Sequence, residues 1–281
     1  MAPAALPSSA VSLRDAVALS GRFPLLSGVD LEVAVGETVL VEGPNGAGKT
    51  SLLRVCAGLV PLVSGHLAVF GLDPNRNRVA VRRRLGLLSH VSHLYDDLTV
   101  RENLRFAVRA AGGDVARIEP ALERWELVGR LAKTTAGKLS AGQRRRVALA
   151  LLTARWPELW LLDEPHAGLD YAARSLLDQI VLEAAASGVT VLIASHESGP
   201  VADLATRVVT VTGGRVTGER LLVRADGGRS LSARVDRLEV DRLEVDRPGA
   251  DRPEADRPEA GRPDSDVTHV APLQGSVAHV A

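Results

Sequence analysis

The alternation of apolar and polar positions divides the chain into recognisable elements. GVDLEVAV (28–35) places Val29, Leu31, Val33 and Val35 on one face at a period of two, which predicts a half-buried strand. TVLVEG (38–43) is a short unbroken apolar run, the pattern of a strand buried on both faces. LWLL (159–162) and VTVLIA (189–194) read the same way, and RVVTVTGGRVTG (207–218) predicts a hairpin turned at Gly213-Gly214. Elsewhere the period lengthens. SLLRVCAGL (51–59) predicts an apolar helix, with Cys56 as a small buried hydrophobe. LTVRENLRFAVRAAGG carries a capping box, Thr99 with Glu102 three residues on, and a stop at Gly112-Gly113. EPALERWELVGRLAK (119–133) predicts a second helix with Leu122, Trp125, Val128 and Leu131 along one stripe. Apolar strands separated by helices predict a largely parallel sheet covered on both faces, with a helical insert at about 88–155.

Composition changes the picture at one end. From Asp236 the sequence reads DRLEV DRLEV DRPGA DRPEA DRPEA GRPDS, a repeat of balanced charge, rich in proline and almost without large apolar residues. Such a segment cannot bury enough surface to offset the entropy of ordering it, so residues 226–281 are expected to be a disordered low-complexity tail after one domain at 1–225. Only the DRLEV copies are compatible with a short helix.

Over all 281 residues, 34 Lys and Arg balance 34 Asp and Glu, which argues against a nucleic-acid surface. The single cysteine excludes an intrachain disulfide and a cysteine-based metal site, and fits a reducing compartment. MAPAALPSSAVSLRD lacks the basic start and apolar core of a secretory signal. No apolar run approaches the roughly 18 residues that span a bilayer. The expectation is a soluble, cytosolic chain that serves any membrane through a partner.

Gly43-Pro44-Asn45-Gly46-Ala47-Gly48-Lys49-Thr50 matches GxxxxGK[ST] between a predicted strand and a predicted helix, the context of a phosphate-binding loop. Its glycines let backbone N–H groups turn toward phosphate oxygens, and Ser51 continues the turn into the helix. Lys49 is placed to reach the β- and γ-phosphates and Thr50 to ligate Mg²⁺. Asp163 and Glu164 end the second buried strand. Ligands of open α/β sheets lie beyond the carboxyl ends of the strands. Asp163 is therefore placed to hold Mg²⁺ through water, and Glu164 to orient or deprotonate the water that attacks the γ-phosphate. His196 ends the third strand of the same sheet and is placed to hydrogen-bond the γ-phosphate.

LSAGQRRRVALALL, from Leu139, raises a separate question. Ser140 and Gly142 open a helix that soon enters an arginine-rich turn, Arg144 to Arg146, near its N-terminus and against the macrodipole. Free N–H groups and a serine hydroxyl at such an end favour an anion. The site near Lys49 already holds a triphosphate from one side. The economical reading is that this second surface meets the γ-phosphate of a nucleotide bound to another copy. Two chains would then pack head to tail with C2 symmetry, as a homodimer or a heterodimer with a similar subunit, and the triphosphate would offset the arginine turn.

GPNGAGKT, LSAGQRRR, LWLLDEP, AGLD and SH, in this order, resemble the nucleotide-binding subunit of ABC transporters over about residues 10–218, and LSAGQ is the specific part. The resemblance implies an α/β fold: a P-loop NTPase core with a mixed, largely parallel sheet, N-terminal antiparallel strands and a helical insert. It implies an ATP hydrolase that uses ATP and Mg²⁺ and powers a separate integral-membrane permease, peripheral on the cytoplasmic, inner face of the cell membrane. It gives Ser140, Gly142 and Gln143 contacts to ATP across a dimer and places Asp170 at the dimer seam. Within the family, SAGQRRRVALA, LYDDLTVRENLRFAVRAAG and DEPHAGLD are most similar to the haem-exporter ATP-binding subunit of cytochrome c maturation, which implies haem export. The ATPase of a drug or small-molecule exporter and a non-transport ATPase of the same family are the alternatives. Two positions depart from the family pattern. The glutamine that touches Mg²⁺ and senses the permease has no counterpart in LLSHVSHLYDDLT, where His90 or Val91 falls nearest. Phe23 is the only aromatic before the phosphate loop that can stack on adenine, and it reads equally well as a core residue.

Overall fold

The computed structural model describes residues 9–196, 202–224 and 230–233. Within the expected disordered tail, Ser230–Ala233 instead form a strand paired with Leu221–Arg224, and the tail repeats, DRLEV copies included, lie outside the described residues. In chain order, β1 (Ser9–Ser20), β2 (Phe23–Ala34) and β3 (Thr38–Glu42) precede α1 (Lys49–Cys56). Next come β4 (Ser64–Val69), α2 (Arg78–Arg84) and β5 (Leu85–Leu88), then α3 (Val100–Ala110), α4 (Ile118–Arg124) and α5 (Ala141–Arg155). The chain continues through β6 (Leu159–Asp163), α6 (Tyr171–Ala186), β7 (Thr190–Ala194), β8 (Arg207–Thr212), β9 (Arg215–Arg224) and β10 (Ser230–Ala233).

The central sheet has the order β10-β9-β8-β3-β7-β6-β5. From β8 to β5 every pair is parallel, and β9 and β10 add an antiparallel edge. Parallel strands covered on both faces have no polar face, which is why β6 and β7 read as unbroken apolar runs and are buried along their whole length. Their side chains alternate between two cores. Trp160, Leu162, Val191 and Ile193 face the layer of α3 to α6, while Leu159, Leu161, Leu192 and Ala194 face α1 and the second sheet. That second sheet is antiparallel, in the order β2-β1-β4.

The capping box of Thr99 and Glu102 opens α3 as its sequence predicts. Gly112 stops it at φ 74°, with the Gly112 and Gly113 amides turned back to Arg109 and Val108. The second helix is shorter than its stripe predicts. α4 ends at Arg124, and the next residues form the same kind of stop with Glu126 in the left-handed position at φ 57°. The Glu126 and Leu127 amides bond back to Glu123 and Leu122. Leu122 and Trp125 are buried, but Val128 falls beyond the stop and is exposed. Val35 likewise lies past the end of β2 and is exposed, whereas Val29, Leu31 and Val33 are buried. Among the described residues, no helix is long and apolar enough to cross a membrane.

Candidate functional site

The carboxyl ends of β3, β6 and β7 open on one edge of the central sheet, and the chemistry-bearing residues gather there. After β3 the backbone reverses tightly. Gly43 has φ 149°, and a Cβ on it would lie 2.1 Å from the Val211 carbonyl oxygen of β8, so no side chain fits. Pro44, Asn45, Gly46, Ala47 and Gly48 complete the loop, closed by the Ala47 amide donating to the Pro44 carbonyl. α1 then begins at Lys49 without a side-chain cap and without an acidic residue in its first turn. The first-turn amides of Lys49, Thr50 and Ser51 precede any acceptor within the helix. α3, α5 and α6, in contrast, are each capped by a side chain, Thr99, Ser140 and Asp170. An uncapped helix end behind a glycine-lined loop is built to receive an anion. Lys49 is buried and donates through Nζ to the carbonyls of Gly43 at 2.7 Å and Pro44 at 3.2 Å, leaving one ammonium hydrogen for that anion.

Thr50 Oγ1 lies 3.0 Å from each carboxylate oxygen of Asp163 at the end of β6. Burial pushes the Asp163 carboxyl up, against the lowering effect of the Thr50 hydrogen bond. A buried carboxylate beside a hydroxyl is a donor set suited to a hard divalent cation, which would also relieve that burial cost. Among the described residues, no group of three or more His, Cys, Asp and Glu gathers for a metal, so a cation here would share phosphate and water oxygens. Glu164 follows with φ 45°, its amide bonded to the Ala194 carbonyl of β7. Its Oε1 is 2.8 Å from His196 Nδ1, so acid and histidine form a pair at the ends of neighbouring strands. His196 also lines an open cleft of about 380 Å³ with Gly43, Pro44 and Asn45.

Ser140, Gly142, Gln143 and Asp170 lie along a different cleft, of about 290 Å³, whose lining residues include none of the phosphate loop. Ser140 and Gln143 form a reciprocal capping box, with Ser140 Oγ accepting from the Gln143 amide and Gln143 Oε1 from the Ser140 amide. The serine O–H is thus still a donor at the helix end. A Cβ on Gly142 would come 3.3 Å from the Gly168 carbonyl oxygen, so its lack of a side chain keeps α5 close to the segment leading to Asp170. Asp170 caps α6 by accepting from the Ala173 amide and also accepts from Arg146. These two bonds, the cap first, hold its carboxyl below the usual range.

The arginine turn does not wait for a triphosphate to offset it, contrary to the expectation from its sequence. Arg144 pairs with Asp96, Arg146 pairs with Glu126 and Asp170, and Arg145 points inward to backbone carbonyls of Ser89, Asp163 and Glu164. The role of Arg145 was hidden in the sequence because it sits within an ordinary run of cations; only its place on the buried side of α5 sets it apart. In the segment where the family glutamine was sought, His90 and Val91 are both exposed, and Ser89 is the buried residue, with its hydroxyl on the Val91 carbonyl. Phe23 is not a core residue: it is 77% exposed at the start of β2.

Comparison with known proteins agrees with this layout. The family profile described as "ABC transporter" matches residues 26–167. The cytochrome c biogenesis ATP-binding export protein CcmA 2 of Cupriavidus metallidurans is 40% identical over 192 residues, covering 66% of this chain and 90% of that protein. The CcmA protein of Shewanella frigidimarina is 38% identical over 173 residues, covering 62% and 80%. Among solved structures, an ATP-binding subunit of an ABC transporter superposes with a TM-score of 0.72 at 26% identity, covering 76% of this chain and 90% of that one. A dimeric ATP-binding cassette in a post-hydrolysis state with ADP and Pi superposes with a TM-score of 0.68 at 26% identity, covering 75% and 98%. With the profile, these relatives and the site geometry in agreement, the chain belongs to the ABC transporter family, as an ATP-hydrolysing, ATP-binding subunit homologous to the CcmA proteins.

Proposed function

We propose that this subunit powers export through a separate integral-membrane permease, with haem for cytochrome c maturation as the cargo. The reading is supported above all by the convergence of Lys49, Thr50, Asp163, Glu164 and His196 at one sheet edge. The names of the relatives, which describe export proteins of cytochrome c biogenesis, supply the biological direction.

The loop residues Gly43 to Gly48 and the first-turn amides, Ser51 included, hold the phosphates, and Lys49 supplies the positive charge. Thr50, and Asp163 through water, would hold Mg²⁺, which would neutralise charge on the phosphate oxygens when bound. Glu164 orients the attacking water and accepts its proton at a carboxylate oxygen. His196, already paired with Glu164, turns its other ring nitrogen to the γ-phosphate. Ser140, Gly142 and Gln143 close over the same phosphate from a second copy packed head to tail, and Asp170 lies at the seam between the copies. Phe23, two residues before Leu25, whose carbonyl oxygen lies 3.0 Å from where a Gly48 Cβ would sit, is the aromatic available to stack on adenine. Residues 1–225, with β10 (Ser230–Ala233) extending their sheet, form the ATP-binding domain, 88–155 being its helical part and the repeats from Asp236 an appended tail. The stretch from His90 to Asp97, mostly exposed with Leu94 packed against the core, is the surface offered to the permease, at the cytoplasmic face of the membrane.

The test is a mild-detergent purification of the tagged chain from its native membranes, with identification of what accompanies it. A multi-spanning permease together with cytochrome-maturation components is expected. A drug- or lipid-type permease would replace the cargo assignment, and an ATP-binding chain that brings down no membrane protein would sink the transport reading altogether.

A further inference from the structure

The hydrolytic carboxylate stands on unusual backbone. Glu164 is a non-glycine residue at φ 45°, a strained conformation that persists only where the surroundings enforce it. Its amide is pinned to Ala194 of β7. Its carbonyl accepts from two donors, the Ala167 amide in the turn that follows at 3.1 Å and the buried Arg145 at 2.6 Å. The parallel pairing of β5 with β6 ends at Leu88 opposite Leu162, while Asp163 stays paired with Ala194 of β7 on its other side. The buried Arg145 guanidinium reaches these strand ends from α5. It donates to Ser89 O at 2.7 Å, to Asp163 O at 3.0 Å and to Glu164 O at 2.6 Å. One planar fork with several donors thus clips together the ends of β5 and β6 just past their last pair, which a lysine's point charge does less well. The same first turn of α5 also holds the segment after Ser89, through the Arg144–Asp96 ion pair.

We propose that Arg145 is a positioning residue for hydrolysis. Through the carbonyls of Asp163 and Glu164 it fixes the direction of the Glu164 carboxylate. Through the Ser89 carbonyl it ties that direction to the segment 89–97, so a partner that shifts this segment re-aims the carboxylate. The position where the family carries its sensing glutamine is occupied here by exposed side chains, and the Arg145 clip supplies a backbone route in its place. The proposal rests on the reading of Glu164 as the residue that activates water.

The experiment uses the full chain and compares Arg145→Met, Arg145→Lys, Glu164→Gln and the double variant Arg145→Met/Glu164→Gln in steady-state and single-turnover ATP hydrolysis. Misplacement of a catalytic group by about 1 Å costs roughly a hundredfold, so kcat of Arg145→Met should fall about tenfold to a hundredfold with KM within about twofold. Arg145→Lys should recover part of the loss, and it carries the test if Arg145→Met does not fold. Because Arg145 acts through Glu164, the double variant should be no slower than Glu164→Gln alone. An unchanged kcat in folded Arg145→Met, a rise in KM alone, or losses that multiply in the double variant would each overturn the proposal. Wild-type turnover in Glu164→Gln would instead remove the base assignment, and the proposal with it.

Discussion

Lys49 and Cys56 sit at opposite ends of α1 and show how burial acts on two kinds of side chain. Lys49 is buried with carbonyl partners for its ammonium group and is poised for an anion. Lys49→Met should lower ATP affinity at least about tenfold, since it removes a charge-assisted contact of roughly 1.5–3 kcal/mol. It should leave nucleotide-free thermal stability nearly unchanged; isothermal titration and a melting curve check both halves. Complete burial pushes the Cys56 thiol up to about 12, against the smaller lowering effect of a backbone hydrogen bond. A thiol reagent at pH 8 should therefore ignore the native chain and modify one cysteine per chain once it is denatured, and rapid labelling of the native protein would contradict this packing. The residues of the proposed phosphate site were legible in the sequence because loop, strand-end acids and strand-end histidine each carry a local signature. Arg145 and Ser89 carry none: an arginine among arginines and a serine in a loop acquire their roles only from what the fold sets beside them.

The helical elements owe their limits to caps. Thr99 and Glu102 satisfy two amides of α3 reciprocally, and Thr99→Ala should cost about 1 kcal/mol in chemical denaturation. α4 and α5 are joined inside the core by the Trp125 indole N–H donating to Thr153 Oγ1 at 3.2 Å. Thr153→Val keeps the shape but strands that donor, so a loss of about 1–3 kcal/mol is expected, larger than its change in buried area predicts. A loss below about 0.5 kcal/mol would mean that the indole finds another acceptor. The same region shows why the stripe from Leu122 to Leu131 misled. Its spacing continues through a helix stop made by Glu126, a residue type that seldom takes the left-handed position. At Gly112 the stop was visible because glycine announces it. At Glu126 it was not, because Leu127 turning into the core and the ion pair to Arg146 favour a conformation the local sequence does not.

In the molecule as a whole, the phosphate loop and the Ser140 turn line separate clefts. If each chain completes the site of its partner, crippling the two halves in different chains should be reparable by mixing. Lys49→Met and Ser140→Arg chains, each inactive alone, should together form dimers with one intact site and recover a clear fraction of wild-type hydrolysis. A mixture as inactive as its components would mean that every site is complete within one chain. On that proposed arrangement, the anchoring of Arg144, Arg145 and Arg146 on Asp96, on backbone carbonyls and on Asp170 keeps their charges off the serine end of α5, where a partner's phosphate would dock.

The sequence by itself determined the strand and helix identities with strong periodicity, the phosphate loop, and the acids and histidine that face it. Each of these depends on interactions within a few residues: the alternation of a buried strand, the freedom of glycine in a tight turn, the reciprocal bonds of a capping box. Tertiary structure alone decided the left-handed stop after α4, the exposure of Phe23, Val35 and Val128, the ion pairs that absorb the arginine turn, and the clip by which Arg145 joins Ser89 to Glu164. These depend on groups 18 to 56 positions apart in the Arg145 case, brought together by the burial of two apolar cores against one sheet. Hydrophobic burial is not directional, so it sets no partner in advance, and polar groups find theirs only where the packed backbone leaves them.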